Sequence, residues 1–290
     1  MENIQQEFLR HLLEVFRGDC DNSSTLYHYT SLNSGLCILK SRRIYLSDFR
    51  SMNDQEEINH GLGLIKEVIS SCGEHTELNE FHTCLTTILN HKETKILTFS
   101  CMKEPNSKIG WEYADKGAGI AIGLKRKCIE DKLSDLMYSD VIYNEKEQRL
   151  FILKLLNIYK DYKRLYPGIS YNSFYPALFI IFSLLVSTYK KNINSNGRSW
   201  ELEKEWRGVS PHVFLPKQKK YILKELPKPV SDEELPKPMY DLFDFDYNDM
   251  EKVIIGSRAN FESVKGEFQR LLCLDMNSEL LFRIINGENY

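Results

Sequence analysis

The order of strand and helix patterns along the chain predicts an α+β fold. Short strand patterns are followed by helical patterns without strict alternation, which is typical of that class. The 290 residues are 42% hydrophobic and 12% aromatic, so the chain can fill a sizeable core. A densely apolar stretch at residues 177–186 predicts a buried core helix. The length allows one large domain or two modest ones, and we predict a single domain over residues 1–290.

The N-terminal part of the chain carries the clearest element boundaries. An amphipathic helix is predicted within residues 1–20, with Gly18 placed to end it. Residues 25–30 predict a short strand, and Ser31 can cap a helix that runs to about Lys40. The remaining predicted strands cover residues 44–46, 95–101, 119–124, 141–143, 252–255 and 280–285. The remaining predicted helices cover residues 58–70, 78–90, 145–160 and 261–272, with a helical turn at 111–114 and residues 145–192 forming a helical insertion.

A nine-residue repeat predicts a proline-rich loop at residues 225–240. The sequence ELPKP occurs at residues 225–229 and again at 234–238. Its prolines block both helix formation and strand pairing, so an extended surface loop is expected. A proline-rich docking segment is the competing interpretation, although two copies do not make an array.

Charge and cysteine content narrow the class of protein. The formal net charge of −3 gives no overall basic field, so a nucleic-acid partner would need a local patch. Residues 125–127 and 217–220 are candidates, and solvated helix ends or loops are the competing interpretation. Seven cysteines without a C-x-x-C pair indicate free thiols in a reducing compartment, and we predict the cytoplasm. No metal is expected, because no common zinc site has the spacing of Cys72, His75, His82 and Cys84.

Neither a signal peptide nor a membrane partner is predicted. Glu2 and Glu7 lie at the N-terminus, and no apolar run follows a cationic start. Residues 165–189 contain no charged side chain and are long enough to span a bilayer, but prolines, a glycine and an asparagine interrupt their first half. We therefore assign this stretch to the protein core.

Residues 199–209 (SWELEKEWRGV) predict a half-buried strand with an acidic face. Strand side chains alternate between faces, so Glu203, Glu205 and Arg207 would share one face with Glu201, opposite Trp206. A helical turn with a Glu203–Arg207 ion pair is the alternative. Like charges at this spacing repel, so the face is either hydrated or meets a cation.

Several tracts occurring in one order resemble the DUF2971 family, a domain of unknown function. The resemblance covers roughly residues 25–275, with departures at Gln55 and Glu112 from the pattern typical of the family. The matching tracts are LYHYTSL at 26–32, ILKS at 38–41, IYLSD at 44–48 followed by Asn53, Asp54 and Glu56, LTFS at 97–100, WEYA at 111–114, GAGIAIG at 117–123, WELEKEWR at 200–207 and VIIG at 253–256.

That family is distantly similar to the ADP-ribosyltransferase superfamily. The resemblance implies a split β-sandwich that clasps NAD, here with a helical N-terminal cap and helical insertions. It implies Glu205 as the catalytic carboxylate that acts on NAD, and Glu203 as the helper that orients the acceptor. The implied cofactor-binding residues are His28, Tyr29, Thr30, Arg43, Tyr113 and Arg207.

The leading hypothesis from the resemblance is an enzyme that transfers ADP-ribose from NAD to a nucleic acid or a protein. The hypothesis includes a role as a toxin or phage-defence effector. Breaking the nicotinamide–ribose bond builds positive charge on the ribose, which an ionised carboxylate stabilises. Two alternatives stay open: an NAD glycohydrolase, and a non-catalytic domain that binds a nucleotide or a partner protein.

Overall fold

The structure is a computed structural model of the chain. It describes residues 2–17, 24–51, 56–73, 76–132, 137–170, 173–192, 199–212, 214–215, 220–221, 239–271 and 284–287. The predicted loop at 225–240 falls almost wholly outside these residues, as do Gly18, His75 and Lys217.

The helices of the described residues follow the predicted pattern except for α6, which was not predicted. They are α1 (Glu2–Arg17), α2 (Leu32–Ser41), α3 (Glu56–Ser71), α4 (Thr76–Asn90), α5 (Lys108–Tyr113), α6 (Arg126–Lys132), α7 (Glu145–Leu165), α8 (Tyr175–Thr188) and α9 (Phe261–Leu271). Ser31 caps α2 as predicted, because its hydroxyl accepts a hydrogen bond from the backbone N–H of Ser34. Asn144 caps α7 in the same way, with its side chain accepting from two backbone N–H groups.

The strands form one mostly antiparallel sheet and a separate two-stranded ribbon. They are β1 (Thr25–Thr30), β2 (Arg43–Asp48), β3 (Lys95–Met102), β4 (Ile120–Lys125), β5 (Met137–Asp140), β6 (Glu205–His212), β7 (Phe214–Leu215), β8 (Lys220–Tyr221), β9 (Met239–Asp244), β10 (Met250–Ile255) and β11 (Ile284–Asn286). The main sheet has the order β11-β10-β4-β1-β3-β2-β9, and β6 pairs with both β3 and β5. Only the β10–β11 pair is parallel among the described ladders of this sheet. The α+β class predicted from the sequence is confirmed.

The sheet opens between β1 and β3. Strand β1 pairs with β4 along its whole length, and β3 pairs with β6 along its whole length. The two ladders are joined at Tyr27 opposite Met102, the one register pair between β1 and β3. On the same edge of β3, Leu97 and Thr98 pair instead with β2. Residues 99–101 of β3 therefore face a gap between β1 and β2.

Helices cover both faces of the sheet. On one face, α1, α3, α4, α7 and α8 form a bundle whose core reaches Val209 of β6. On the other face, α2, α6 and α9 pack against a core that includes Trp206. Side chains of β6 alternate between these layers, so Glu205 and Arg207 point towards the bundle while Trp206 points away.

Helix α8 is the centre of the bundle, as its apolar sequence predicts. All its residues from Ala177 to Thr188 are buried. Pro176 occupies its first turn, where a proline costs no hydrogen bond. Within the described part of the chain, no helix is both long enough and apolar enough to cross a membrane.

Two predicted strands differ from the structure, and a third is described only in part. Residues 200–203 form a 3₁₀ helix, and the strand begins only at Glu205. Lys204 lies between the two elements in the left-handed conformation, with φ 44°. Residues 141–143 follow the end of β5 at Asp140 and form no strand of their own; Ile142 makes an isolated bridge with Tyr189 instead. Residues 280–283 of the strand predicted over 280–285 lie outside the described residues, and the last two residues of that prediction belong to β11.

Candidate functional site

A cavity of about 190 Å³ lies at the opening between β1 and β3. It is enclosed by the two strands, by α5 and the 3₁₀ helix before β6, and by residues at the ends of α3 and α8. Its lining comprises Tyr27, His28, Tyr29, Glu57, Ser100, Cys101, Met102, Tyr113, Lys190, Trp200, Glu203, Glu205 and Arg207. The structure therefore brings together most of the residues that the resemblance implied for catalysis and cofactor binding.

Five charged side chains form a buried cluster at the base of the cavity. We call Glu57, Lys190, Glu203, Glu205 and Arg207 the ion cluster, and each is more than nine-tenths buried. The guanidinium of Arg207 donates to both oxygens of Glu205, at 2.7 and 3.0 Å, and to Glu57 at 2.7 Å. The ammonium of Lys190 lies 2.6 Å from Glu203 and 2.8 Å from Glu205. The acidic face predicted from the sequence therefore meets cations in the protein interior.

The left-handed residue before β6 explains how two glutamates enter one cluster. In a continuous strand, Glu203 and Glu205 would be side by side on one face. Here Glu203 comes from the 3₁₀ helix and Glu205 from the first position of β6. The chain changes direction at Lys204, which is itself exposed, and both carboxylates reach Lys190, at 2.6 and 2.8 Å.

The environment separates the acidities of the two glutamates. Burial alone would raise the pKa of Glu205. The positive charges of Arg207 and Lys190 outweigh this effect, so the pKa of Glu205 is well below the ordinary carboxyl range. Burial also raises the pKa of Glu203, and this effect prevails over the opposing effect of Lys190. Glu205 is thus a permanent anion, whereas Glu203 is the carboxyl group better suited to exchange a proton.

Two tyrosines define the walls of the cavity. Tyr113 donates a hydrogen bond from its hydroxyl to Glu203 at 2.9 Å, and the residue as a whole is 42% exposed. Tyr29 donates to the carbonyl of Glu104 and accepts from the backbone N–H of Ser107. The rings of Tyr29 and Trp111 pack edge to face, with their centroids 5.0 Å apart, and this contact holds α5 against β1. Hydrogen bonds fix the hydroxyl group of each tyrosine, and both residues line the cavity.

His28 bridges the opening in the sheet. Its Nδ1 lies 3.0 Å from the carbonyl oxygen of Ser100, in the gap where β1 and β3 no longer pair. Its ring packs 5.0 Å from that of Phe99. Burial lowers the pKa of His28 despite the hydrogen bond to Ser100, so the imidazole is neutral at pH 7. The histidine therefore both replaces a missing backbone contact and lines the cavity.

Two residues implied by the resemblance do not line the cavity. Arg43 lies at the start of β2, where its Nε donates to Asp244 of β9 at 2.9 Å. Thr30 is the last residue of β1, opposite Ile120 of β4. Neither position places a side chain on the cavity as the structure stands, so the placement does not support their assignment to cofactor binding.

Sequence reasoning missed Glu57 and Lys190. Lys190 lies two residues beyond the end of α8, and a lysine next to a helix that contains no charged residue is a signal of a buried ion pair. Glu57 is on α3, one residue beyond the Glu56 that belongs to the matching tracts. Ser100 was also missed as a site residue; its Oγ is buried without a hydrogen-bond partner among the described residues.

The basic residues at 125–127 are already engaged. Arg126 is buried and pairs with Glu130 at 2.7 Å, and Lys127 pairs with Asp131 at 3.0 Å. Lys125 donates to the carbonyl of Asn248. These contacts favour the structural interpretation of this segment over a nucleic-acid patch.

The structure contains no group of three or more candidate metal ligands in the residues that it describes. His82, one of the residues considered for zinc, lies 3.2 Å through Nε2 from the carbonyl of Leu62. Cys37, Cys72, Cys84, Cys101 and Cys128 carry free thiols.

Comparisons of the chain with family models, with curated proteins and with solved structures found no match.

Proposed function

We propose that the protein is an NAD-dependent ADP-ribosyltransferase-like enzyme that modifies a macromolecular acceptor, a nucleic acid or a protein. The observation that carries the proposal is the buried ion cluster beside an aromatic cavity. With all its members ionised, the cluster holds three carboxylates and two cations and has a net charge of −1. An anionic, partly dehydrated site with tyrosine walls suits a ligand that carries or develops positive charge.

The nicotinamide end of NAD has that character. Its pyridinium ring is cationic, and the ribose becomes cationic as the bond from C1′ to the nicotinamide nitrogen breaks, with the electron pair leaving on nicotinamide. A carboxylate that stays ionised stabilises the ribose more strongly in the transition state than in the ground state. Glu205 has this property because Arg207 and Lys190 keep its pKa low.

The other residues of the cavity receive complementary roles. Glu203 orients the acceptor and takes the proton that its nucleophile loses on bonding to C1′, which suits its raised pKa. Tyr29 or Tyr113 stacks on the nicotinamide ring. His28 offers an imidazole edge to a ribose hydroxyl. The sheet that opens between β1 and β3 fits the split β-sandwich that the resemblance implies, and the free thiols fit a cytoplasmic setting.

A non-catalytic binding domain is the second candidate, and one observation favours it. Both oxygens of Glu205 are engaged by Arg207, and one also by Lys190. A carboxylate bonded in this way also serves as a structural anion, and the cavity would then bind a nucleotide without cleaving it. An NAD glycohydrolase differs from the transferase only in using water as the acceptor.

The test is turnover of NAD by the purified protein with a mixed pool of nucleic acids and proteins. We expect release of nicotinamide and transfer of a label carried on the adenylate part of NAD. Glu205→Gln should lower turnover by about 100-fold or more, the size of effect seen when one stabilising group is removed from a charged transition state. Nicotinamide release without labelled acceptor would point to the glycohydrolase.

Glu57→Gln is the matched control, because it removes a different carboxylate from the same guanidinium at the same burial. Both variants should lose stability to a similar extent, whereas only Glu205→Gln should lose most of its turnover. Equal activity losses in the two variants would show that Glu205 acts through structure alone. Saturable NAD binding without turnover in the wild type would favour the non-catalytic domain.

A further inference from the structure

A second, open cleft of about 710 Å³ adjoins the cavity. It lies between α5, the 3₁₀ turn Asp115–Gly117 and the turn that follows β10. Tyr113 lines both the cleft and the cavity, so the two spaces meet at its ring. A ligand bound in the cleft therefore lies next to the side chain that hydrogen-bonds Glu203.

The cleft is cationic in a chain that is acidic overall. Lys108, Lys116 and Arg258 line it, and Glu112 is the one acidic residue among the described residues of the lining. None of the three cations has a carboxylate partner among the described residues, unlike Lys127, which pairs with Asp131. The cleft thus concentrates positive charge that the protein leaves uncompensated.

The backbone that forms the cleft contains strained residues. Asp115, Lys116 and Gly117 are consecutive residues with positive φ, at 49°, 54° and 91°. The backbone N–H of Arg258 donates to the carbonyl of Gly117 at 3.0 Å, which ties the two turns together. A Cβ on Gly256 would lie 2.3 Å from the same carbonyl oxygen, so only glycine permits this approach. Left-handed conformations at non-glycine residues cost energy and persist where the surroundings impose them, often at binding sites.

Aromatic side chains complete the cleft. Trp111 and Tyr113 are on α5, and Trp111 is held by its edge contact with Tyr29. Aromatic rings beside unpaired cations are the combination by which proteins hold single-stranded nucleic acid, since bases stack on the rings and phosphates meet the cations. Duplex bases are already stacked on one another and cannot use such a surface.

We propose that this cleft binds single-stranded nucleic acid and delivers it to the cavity as the acceptor. The assignment as acceptor rests on the proposed function, whereas binding of the strand does not. The nucleotide stacked on Tyr113 would be the one presented to Glu203, and Tyr29 would then be the ring that stacks on nicotinamide. The basic segment considered from the sequence, residues 125–127, has no part in this surface, because its charges are neutralised locally or engaged by the backbone.

The test is binding of a fluorescent 12-nucleotide single strand by anisotropy, without NAD, at several salt concentrations. Lys116→Gln and Arg258→Gln combined should weaken binding by at least about tenfold and reduce the slope of log affinity against log salt by about 1.4, since each phosphate contact contributes about 0.7 for single strands. Both side chains are exposed, so the variant should fold normally. Lys127→Gln is the control cation and should leave both quantities unchanged.

The outcomes separate this proposal from the proposed function. Strand binding that survives in Glu205→Gln and is lost in the double variant supports the cleft. Absence of strand binding by the wild type, equal affinity for a duplex, or an unchanged double variant would overturn it. If the strand binds in the cleft and NAD is turned over, but label reaches only protein, then the cleft does not deliver the acceptor and the proposal fails.

Discussion

Replacing Arg207 by methionine tests whether the ion cluster is truly dehydrated. Arg207 is 1% exposed, and its guanidinium contacts Glu205, Glu57 and the carbonyl of Ser187. Removing it leaves two buried carboxylates with only Lys190 as a cationic neighbour. Breaking a buried ion pair on one side costs about 3–5 kcal/mol, a large share of the 5–15 kcal/mol that stabilises a typical domain.

The measurement is the free energy of unfolding from urea titration, supported by thermal melting. At about 2–3 °C for each kcal/mol, Arg207→Met should lower Tm by about 6–15 °C. Arg164→Met is the control: its ion pair with Asp161 at 3.1 Å lies on the surface, with side chains 80% and 61% exposed. Exposed pairs of this kind contribute less than about 1 kcal/mol.

A double-mutant cycle identifies the origin of the loss. If the cost of Arg207→Met comes from stranded charge, adding Glu57→Gln should restore part of the stability, because fewer buried carboxylates then lack a partner. A loss in Arg207→Met no larger than that in Arg164→Met would refute the reasoning, since it would mean that water reaches the cluster. A strictly additive double variant would likewise contradict a charge-based cause.

Two further predictions concern packing and pH. Gly61→Ala on α3 should destabilise the protein by about 1–3 kcal/mol, because its Cβ would lie 2.8 Å from the backbone of Val186. A Cβ at Gly63 on the same helix would meet nothing within 4 Å, so Gly63→Ala should stabilise the protein by up to about 1 kcal/mol. Equal effects in urea titration would contradict the α3–α8 packing. Burial lowers the pKa of His28 from its ordinary value of 6.5. Below pH 6.5 the unfolded chain therefore binds a proton at this histidine that the folded chain does not. The free energy of unfolding consequently falls as the pH falls towards the lowered pKa. His28→Gln, which keeps a donor for the carbonyl of Ser100, should lose less stability between pH 7 and 5 than the wild type; an equally steep profile would assign the loss to other groups.

Elements with strong local signals could be predicted from the sequence. The helix capped by Ser31 has a capping side chain as its signal, and the strand at residues 25–30 directly follows a run of polar residues in the sequence at 21–24. The buried position of α8 could be predicted because only the protein core can accommodate so many apolar side chains. Register and the opening of the sheet could not be predicted, since they depend on contacts between β1 and β3, which are about 70 residues apart.

The acidic segment before β6 shows where local reasoning fails. Alternation correctly placed Glu205 and Arg207 opposite Trp206, because that part is a strand. It failed for Glu203, since tertiary contacts impose a left-handed conformation on Lys204 that its own sequence does not favour. Membership of the ion cluster was also unpredictable, because Glu57 and Lys190 come from distant parts of the chain and meet only after the bundle has packed.

The ion cluster links the stability of the fold to the chemistry proposed for it. Lys190 and Arg207 neutralise most of the charge of three buried carboxylates, which lowers the cost of burying them where the helical bundle packs on the sheet. The same two cations keep Glu205 ionised while Glu203 remains able to exchange a proton. A purely structural cluster would have no need for a cavity beside it, since well-packed apolar residues would stabilise the core at least as well. The retention of five charges next to tyrosine rings, at the one opening between β1 and β3, therefore argues for a bound ligand at this position.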